Sequence, residues 1–292
     1  MAKRIGFIGL GNMGHGMCAN FIKHGNQVIC YDAVEAVKLR FEGQATLANS
    51  VSEVVEQSDY VFMSLPNSDV VSAVVGEMLL CDVKGKIIVD TSTSYPPTTI
   101  ALSKQVAQAG GIMIDCGVLA GPPEAETGDL LAVIGGDDAI VKEIEPLVYQ
   151  IAKSYKHCGP TGSGHLLKIA VNYCSLTQAA MFAQVYPIMK KYGMDEQDVY
   201  DGLNNEIFDN WVFQYYSKRY VSHDYWTGFS LDNGIKDLSY MKRLYEEQNI
   251  PGFVLDGALD LARVTKLQEN EGEKLEMAHM ARTMYRLLGF EN

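Results

Sequence analysis

Ile5-Gly6-Phe7-Ile8-Gly9-Leu10-Gly11-Asn12-Met13-Gly14 is a short apolar run that enters a Gly-x-Gly-x-x-Gly loop. The run predicts a β-strand, and residues 14–24 predict a helix directly after the loop. In that setting each glycine has a task. Gly9 permits the tight turn, Gly11 lets the backbone approach a pyrophosphate, and Gly14 lets the helix pack closely on the strand. Leu10, Asn12 and Met13 complete the loop, and the helix start offers free N–H groups and a partial positive charge to phosphates. A second strand, Gln27–Tyr31, ends beside Asp32, eighteen residues beyond Gly14. An acid there takes the ribose hydroxyls and repels a 2′-phosphate, which favours NAD (NADH) over NADP. A glycine turn with no nucleotide is the competing reading. The strand before the loop, the helix after it and Asp32 weigh against that.

Outward from the loop, apolar runs and helical patterns alternate. Residues 60–65, 86–90, 111–115 and 131–135 read as further strands, with helices between most of them. That order implies right-handed βαβ units and a Rossmann-type, doubly wound parallel sheet, an α/β fold with ligands at the strands' carboxyl ends. From about Leu166 the pattern changes. Residues 166–191 form a candidate long helix without internal glycine, which Pro187 would kink or end early. Residues 195–203, 234–249, 254–268 and 273–288 predict more helices. The aromatic stretch 208–220 predicts core or subunit interface, with Asn210 and Trp211 as pocket-lining candidates. The glycine-rich segment 159–164 marks the boundary between a dinucleotide-binding domain at 1–162 and an all-helical C-terminal domain at 163–292, which begins with a long interdomain helix.

Bulk properties exclude several function classes. A net charge of −12 over 292 residues argues against nucleic acid, whose phosphates need a basic patch. No apolar run approaches the ~18 residues of a membrane-spanning helix. The apolar start passes into the glycine loop instead of a signal cleavage site, so it predicts a strand and a cytoplasmic chain. The six cysteines are scattered without a CxxC pair, as for free thiols in a reducing compartment. The six histidines form no metal-binding pair, and no metal is expected.

Gly162-Ser-Gly-His-Leu-Leu-Lys168-Ile-Ala-Val-Asn172 follows the boundary. Lys168 and Asn172 are four apart and share one helix face, among apolar neighbours. Burial disfavours a lysine's charged form, and a lysine tuned toward neutrality can exchange protons with an alcohol. Asn172 could hold the same hydroxyl or carbonyl in line. From the helix pattern alone, a lysine snorkelling from a surface helix is the simpler reading.

Four segments together resemble the β-hydroxyacid dehydrogenases, the family of 3-hydroxyisobutyrate dehydrogenase, tartronate semialdehyde reductase and the sulfolactaldehyde reductases. They are the loop 9–14, Asp115-Cys-Gly-Val-Leu-Ala-Gly-Pro-Pro-Glu-Ala-Glu-Thr-Gly-Asp-Leu130, the segment 162–172, and Gly228-Phe-Ser-Leu-Asp-Asn-Gly-Ile-Lys236-Asp-Leu238. The resemblance spans nearly the whole chain. It implies that Lys168 is the catalytic acid/base and Asn172 its partner. It further implies that Leu65, Pro66 and Asn67 pass under the nicotinamide side, that Thr93 contacts the nicotinamide or its ribose, and that Lys236 closes over the cofactor. Leu119, Ala120 and Gly121 would grip the substrate's far end, with Lys168 and Asn172 at the reacting end.

The departures fall in that substrate segment. The family serine is Leu119, the first glycine of its pair is Ala120, and its proline is Gly117. Leu119 supplies no hydroxyl, and Pro122 and Pro123 supply no N–H. Only the amides of Ala120 and Gly121 remain for an anion. The resemblance implies an NAD-dependent oxidoreductase interconverting a small 3-hydroxy acid, carboxylate or sulfonate, with its semialdehyde. It also implies a homodimer or homotetramer. A reductase of an uncharged carbonyl or imine, and a non-catalytic dinucleotide-binding scaffold, stand as alternatives.

Overall fold

Both faces of the strands following residue 3 are apolar, and their alternation sends side chains into two separate cores. The computed structural model describes residues 3–290. The chain divides into two compact units, residues 1–168 and 169–292.

In the first unit the strands are β1 (Arg4–Ile8), β2 (Gln27–Tyr31), β3 (Thr46–Leu47), β4 (Tyr60–Met63), β5 (Ile87–Asp90), β6 (Ile112–Leu119), β7 (Leu130–Gly135) and β8 (Ala152–Gly159). They form one sheet in the order β3-β2-β1-β4-β5-β6-β7-β8. Ile5, Phe7, Tyr60, Phe62, Ile87 and Val89 point into one core. Ile8, Val61, Met63 and Ile88 point into the other. This period of two, apolar on both sides, is what a sheet covered by helices on both faces requires. The strand order reverses between β1 and β4, so a crevice opens at the carboxyl end of β1, where the glycine loop lies.

The Rossmann-type sheet expected from the sequence is present, with three additions. Thr46–Leu47 is too short to show a period. β8 is largely polar, with Lys153 and Lys156 on an edge strand, where charge discourages pairing with other chains. β6 and β7 pair antiparallel, Leu119 opposite Leu131 and Asp115 opposite Gly135. The short Pro122–Thr127 helix connects them, and a connection that brief returns the chain antiparallel.

The second unit is helical. The Ser163–Lys191 helix runs through Pro187, which costs one hydrogen bond but does not end it. Ala183 and Tyr186, fully buried, hold that turn in the core. The helices Glu196–Leu203, Trp211–Ser222, Leu231–Glu247, Phe253–Lys266 and His279–Leu287 complete the unit. The helix expected at 273–288 is shorter because Glu276 bridges to Ser230 before it begins. The aromatic stretch does enter the core: Phe213, Tyr216 and Tyr220 are buried, whereas Trp211 is 65% exposed. Asn210 caps its helix by accepting from the Phe213 amide at 2.9 Å.

Phe182 packs between Phe208 and Phe213, with ring centroids 6.1 and 5.1 Å away. Phe182→Ala is expected to destabilise the helical unit by about 3–5 kcal/mol, read as a lower urea midpoint by near-UV circular dichroism.

Candidate active site

The loop after β1 distinguishes the tasks of its three glycines. Gly9 has φ +90°, and a Cβ there would overlap the Ser64 carbonyl oxygen. A Cβ on Gly14 would overlap the Gly9 carbonyl oxygen. These two are demanded by the fold. Gly11 is not: among the described residues nothing lies within 4 Å of a Cβ built there. Its bareness leaves room for a group from outside the chain. The Asn12–Lys23 helix starts at Gly11 with no side-chain cap and no acid in its first turn. Its first N–H groups have no side-chain cap, the arrangement that suits an anion. Leu10 and Gly14 are buried, Met13 is half-buried, and Asn12 is exposed.

Asp32 ties this loop to the end of β2. Its carboxylate accepts from the Leu10 amide at 2.7 Å and the Val34 amide at 2.8 Å, one on each oxygen. Each oxygen keeps a further lone pair for a hydroxyl. Lys38, the next cation along the chain, is turned inward. Its Nζ meets Glu35 at 2.9 Å and the Ala48 carbonyl at 3.2 Å.

The carboxyl ends of β4 and β5 are laced together. Thr91 donates to the Met63 carbonyl, the Leu65 amide to Ser92 Oγ, and the Tyr95 amide to Ser68 Oγ, at 2.6–2.8 Å. Asn67 caps the Ser68–Met78 helix through the Val70 amide. Leu65 and Thr93 are half-buried, and Pro66 is exposed. These residues form a firm rim beside the glycine loop.

Lys168 is 9% exposed. Its stem lies against the backbone of β6: a Cβ on Gly117 would come within 2.9 Å of Lys168 Cβ and 3.3 Å of Cγ. Gly117 stands where the resembling family has proline, and its bare backbone takes the lysine stem. Two residues back on the same face, Asp115 is fully buried. It accepts from the Gly162 amide at 2.5 Å and the His165 amide at 2.7 Å. Burial, the largest influence, pushes its carboxyl above the ordinary aspartate range against the pull of His165 and these amides. His165 shares a 2.9 Å hydrogen bond with Thr99 through Nδ1, and its Nε2 stands 3.9 Å from Asp90.

In the second unit Asn172 donates from Nδ2 to Asp237 Oδ2 at 2.6 Å. Asp237 is 2% exposed, and its other oxygen pairs with Lys236 Nζ at 3.3 Å. One buried carboxylate thus orients Asn172 and Lys236 together. It leaves Asn172 a second Nδ2 hydrogen as donor as well as its oxygen as acceptor.

The segment after β6 differs from its expected form. Leu119 is half-buried, Ala120 is exposed in a left-handed conformation at φ 87°, and the Gly121 amide is already engaged. That amide donates to Glu124 Oε2 at 3.0 Å. With Pro122 and Pro123 next, the helix start that seemed open to an anion carries a carboxylate of its own. No group of three or more metal-ligating side chains occurs among the described residues. None of their helices is long and apolar enough to cross a membrane.

Residues 4–159 match the NAD binding domain of 6-phosphogluconate dehydrogenase. Residues 162–284 match the NAD-binding domain of NADP-dependent 3-hydroxyisobutyrate dehydrogenase. The chain belongs to the β-hydroxyacid dehydrogenase family. As a member, it is an NAD(P)-dependent oxidoreductase, which sets the scaffold alternative aside. It is 30% identical to 2-(hydroxymethyl)glutarate dehydrogenase of Eubacterium barkeri, over 85% of this chain and 84% of that one. It is likewise 30% identical to mitochondrial 3-hydroxyisobutyrate dehydrogenase of Drosophila melanogaster, over 86% of this chain and 80% of that one. The fold is shared with Mycobacterium tuberculosis 3-hydroxyisobutyrate dehydrogenase solved with L-serine. The TM-score is 0.89 at 22% identity, over 97% of this chain and 99% of that one.

Within this β-hydroxyacid dehydrogenase, Asp115, Asp237 and Glu124 are the residues whose roles the sequence did not disclose. Asp115 and Asp237 lie within the family-like segments 115–130 and 228–238, Asp115 as the lone acid of an apolar strand. Gly117→Val is expected to displace the Lys168 stem and lower kcat about 100-fold with NADH affinity retained, measured by steady-state kinetics and fluorescence titration.

Proposed function

We propose that the chain interconverts a small 3-hydroxy acid and its semialdehyde, with NAD as hydride carrier and Lys168 as general acid/base. The observation that carries this reading is Lys168 itself: a nearly buried lysine seated on bare β6 backbone at Gly117, in a chain of this family. The dinucleotide fits the residues present. Gly9, Leu10, Gly11, Asn12, Met13 and Gly14 would hold its pyrophosphate, Asp32 its ribose, and the rim of Leu65, Pro66, Asn67 and Thr93 its nicotinamide side, with Lys236 as a further contact. When bound it supplies the hydride chemistry. Lys168 accepts the hydroxyl proton in oxidation and returns it to the developing alkoxide in reduction. Asn172, held by Asp237 through one Nδ2 hydrogen, donates its second to the reacting oxygen and keeps it in line.

NAD is favoured over NADP because Asp32 is negative and Lys38 is committed to Glu35 and Ala48. Replacing Asp32 by Ala should erode the preference for NADH over NADPH by about tenfold, the worth of a hydrogen bond or two. A homodimer or homotetramer in the cytoplasm fits the family resemblance and the free thiols.

Lys168→Ala tests the assignment. Turnover should fall about 10²–10⁴-fold while NADH still binds. Loss of both, or of neither, contradicts the role.

A second reading has its own observation. Leu119 and the Glu124 carboxylate on the Gly121 amide leave little to hold an anion, which favours an uncharged carbonyl or imine. A panel of semialdehydes against uncharged aldehydes and imines, run with wild type and Glu124→Ala, separates the two. If an anionic tail passes this segment, Glu124→Ala lowers KM for acidic aldehydes roughly fivefold and leaves uncharged ones unchanged, as removal of about 1 kcal/mol of repulsion implies. Activity confined to uncharged substrates in both proteins establishes the second reading.

A further inference from the structure

Asp115 takes no part in the chemistry proposed above, yet it is built into the same strand face as the lysine's seat. It and Gly117 are two apart on β6 and so point to the same side. Gly117 receives the Lys168 stem. Asp115 binds the amides of Gly162 and His165, and His165 lies one helical turn before Lys168. These amides belong to the group at a helix start that has no partner within the helix. A side-chain cap from within the helix would satisfy them without fixing where the helix sits. A carboxylate delivered from a strand does both.

The carboxylate shares its close surroundings with the Val133 and Pro160 carbonyl oxygens, which crowd Gly164 and Gly135 as it does. A Cβ on Gly135 would stand 2.6 Å from Asp115 Oδ1, and one on Gly164 2.8 Å from Oδ2. Asp90 lies beside it in register on β5, and His165 faces both strands from the helix. Burying the carboxylate costs stability, and its two amide hydrogen bonds supply it. Because burial raises its folded pKa above the unfolded value, its contribution to stability is greatest below the unfolded pKa. That contribution is lost as pH rises through the folded pKa, where the two amide hydrogen bonds offset the cost of burying the ionised carboxylate.

We propose that Asp115 is a positioning residue for Lys168: it locks the start of the lysine's helix onto β6, so that the amine is held at the reacting oxygen. This rests on Lys168 being the acid/base.

The test is a double-mutant cycle. Asp115→Asn keeps the shape but offers one acceptor oxygen, so one of the two amides loses its tie. In an otherwise wild-type chain, Asp115→Asn should lower kcat by about tenfold or more, since small displacements of a catalytic group carry such costs. KM and NADH affinity should stay within about twofold. In the Lys168→Ala background, followed by its residual or methylamine-restored rate, Asp115→Asn should change turnover by less than about twofold, because nothing is left to position. An equal loss in both backgrounds, or an unchanged kcat in the first, overturns the proposal. Full turnover by Lys168→Ala alone would instead overturn the reading of Lys168, a separate outcome. Should Asp115→Asn fail to fold, Gly135→Ala crowds the carboxylate without removing it. It passes through the same cycle, and the same results support or overturn the proposal.

Discussion

A lysine can serve as acid and base only if the protein decides where its amine stands. In the mechanism proposed here that decision falls to β6. Bare backbone at Gly117 takes the stem of Lys168, and Asp115 grips the first turn of its helix. Both contacts need glycine nearby, because any side chain at 117, 135 or 164 would enter space already in use. The glycines of this region leave room for these two side chains and for the backbone beside them.

The same economy governs the cofactor loop. Gly9 and Gly14 are glycine because the turn and the helix contact allow nothing else, and Gly11 is glycine although the chain itself would tolerate more. Asp32 holds the loop from behind through Leu10. In the helical unit Asp237 organises Asn172 and Lys236 in the same manner. Carboxylates thus do much of the structural work around the proposed chemistry, each through partners distant in the chain.

Legibility in the sequence follows from range. The glycine loop, Asp32 and the core strands are written in local patterns of period two and fixed spacing, so 5–14 and 27–32 disclose their structure directly. The role proposed for Lys168 draws on the family resemblance, since a helical lysine among apolar neighbours has a commoner explanation. β8 was missed because a polar edge strand shows no apolar alternation, and the antiparallel β6–β7 junction because strand direction is set by the short connection between them. Asp115 and Asp237 were opaque because their partners lie 47 to 65 positions away. Glu124 is different. It reaches back only three positions, and the capping pattern it makes with Gly121 was there to be recognised before two prolines.

The central claim concerns one proton on one amine, and the pH dependence of kcat measured in both directions tests it most directly. A general base must be neutral and a general acid must be protonated. The account predicts opposite limbs: oxidation rises with pH to a plateau, reduction falls across a neighbouring range, and both limbs vanish in Lys168→Ala. Limbs of the same sign in the two directions, or limbs that persist without Lys168, would contradict it.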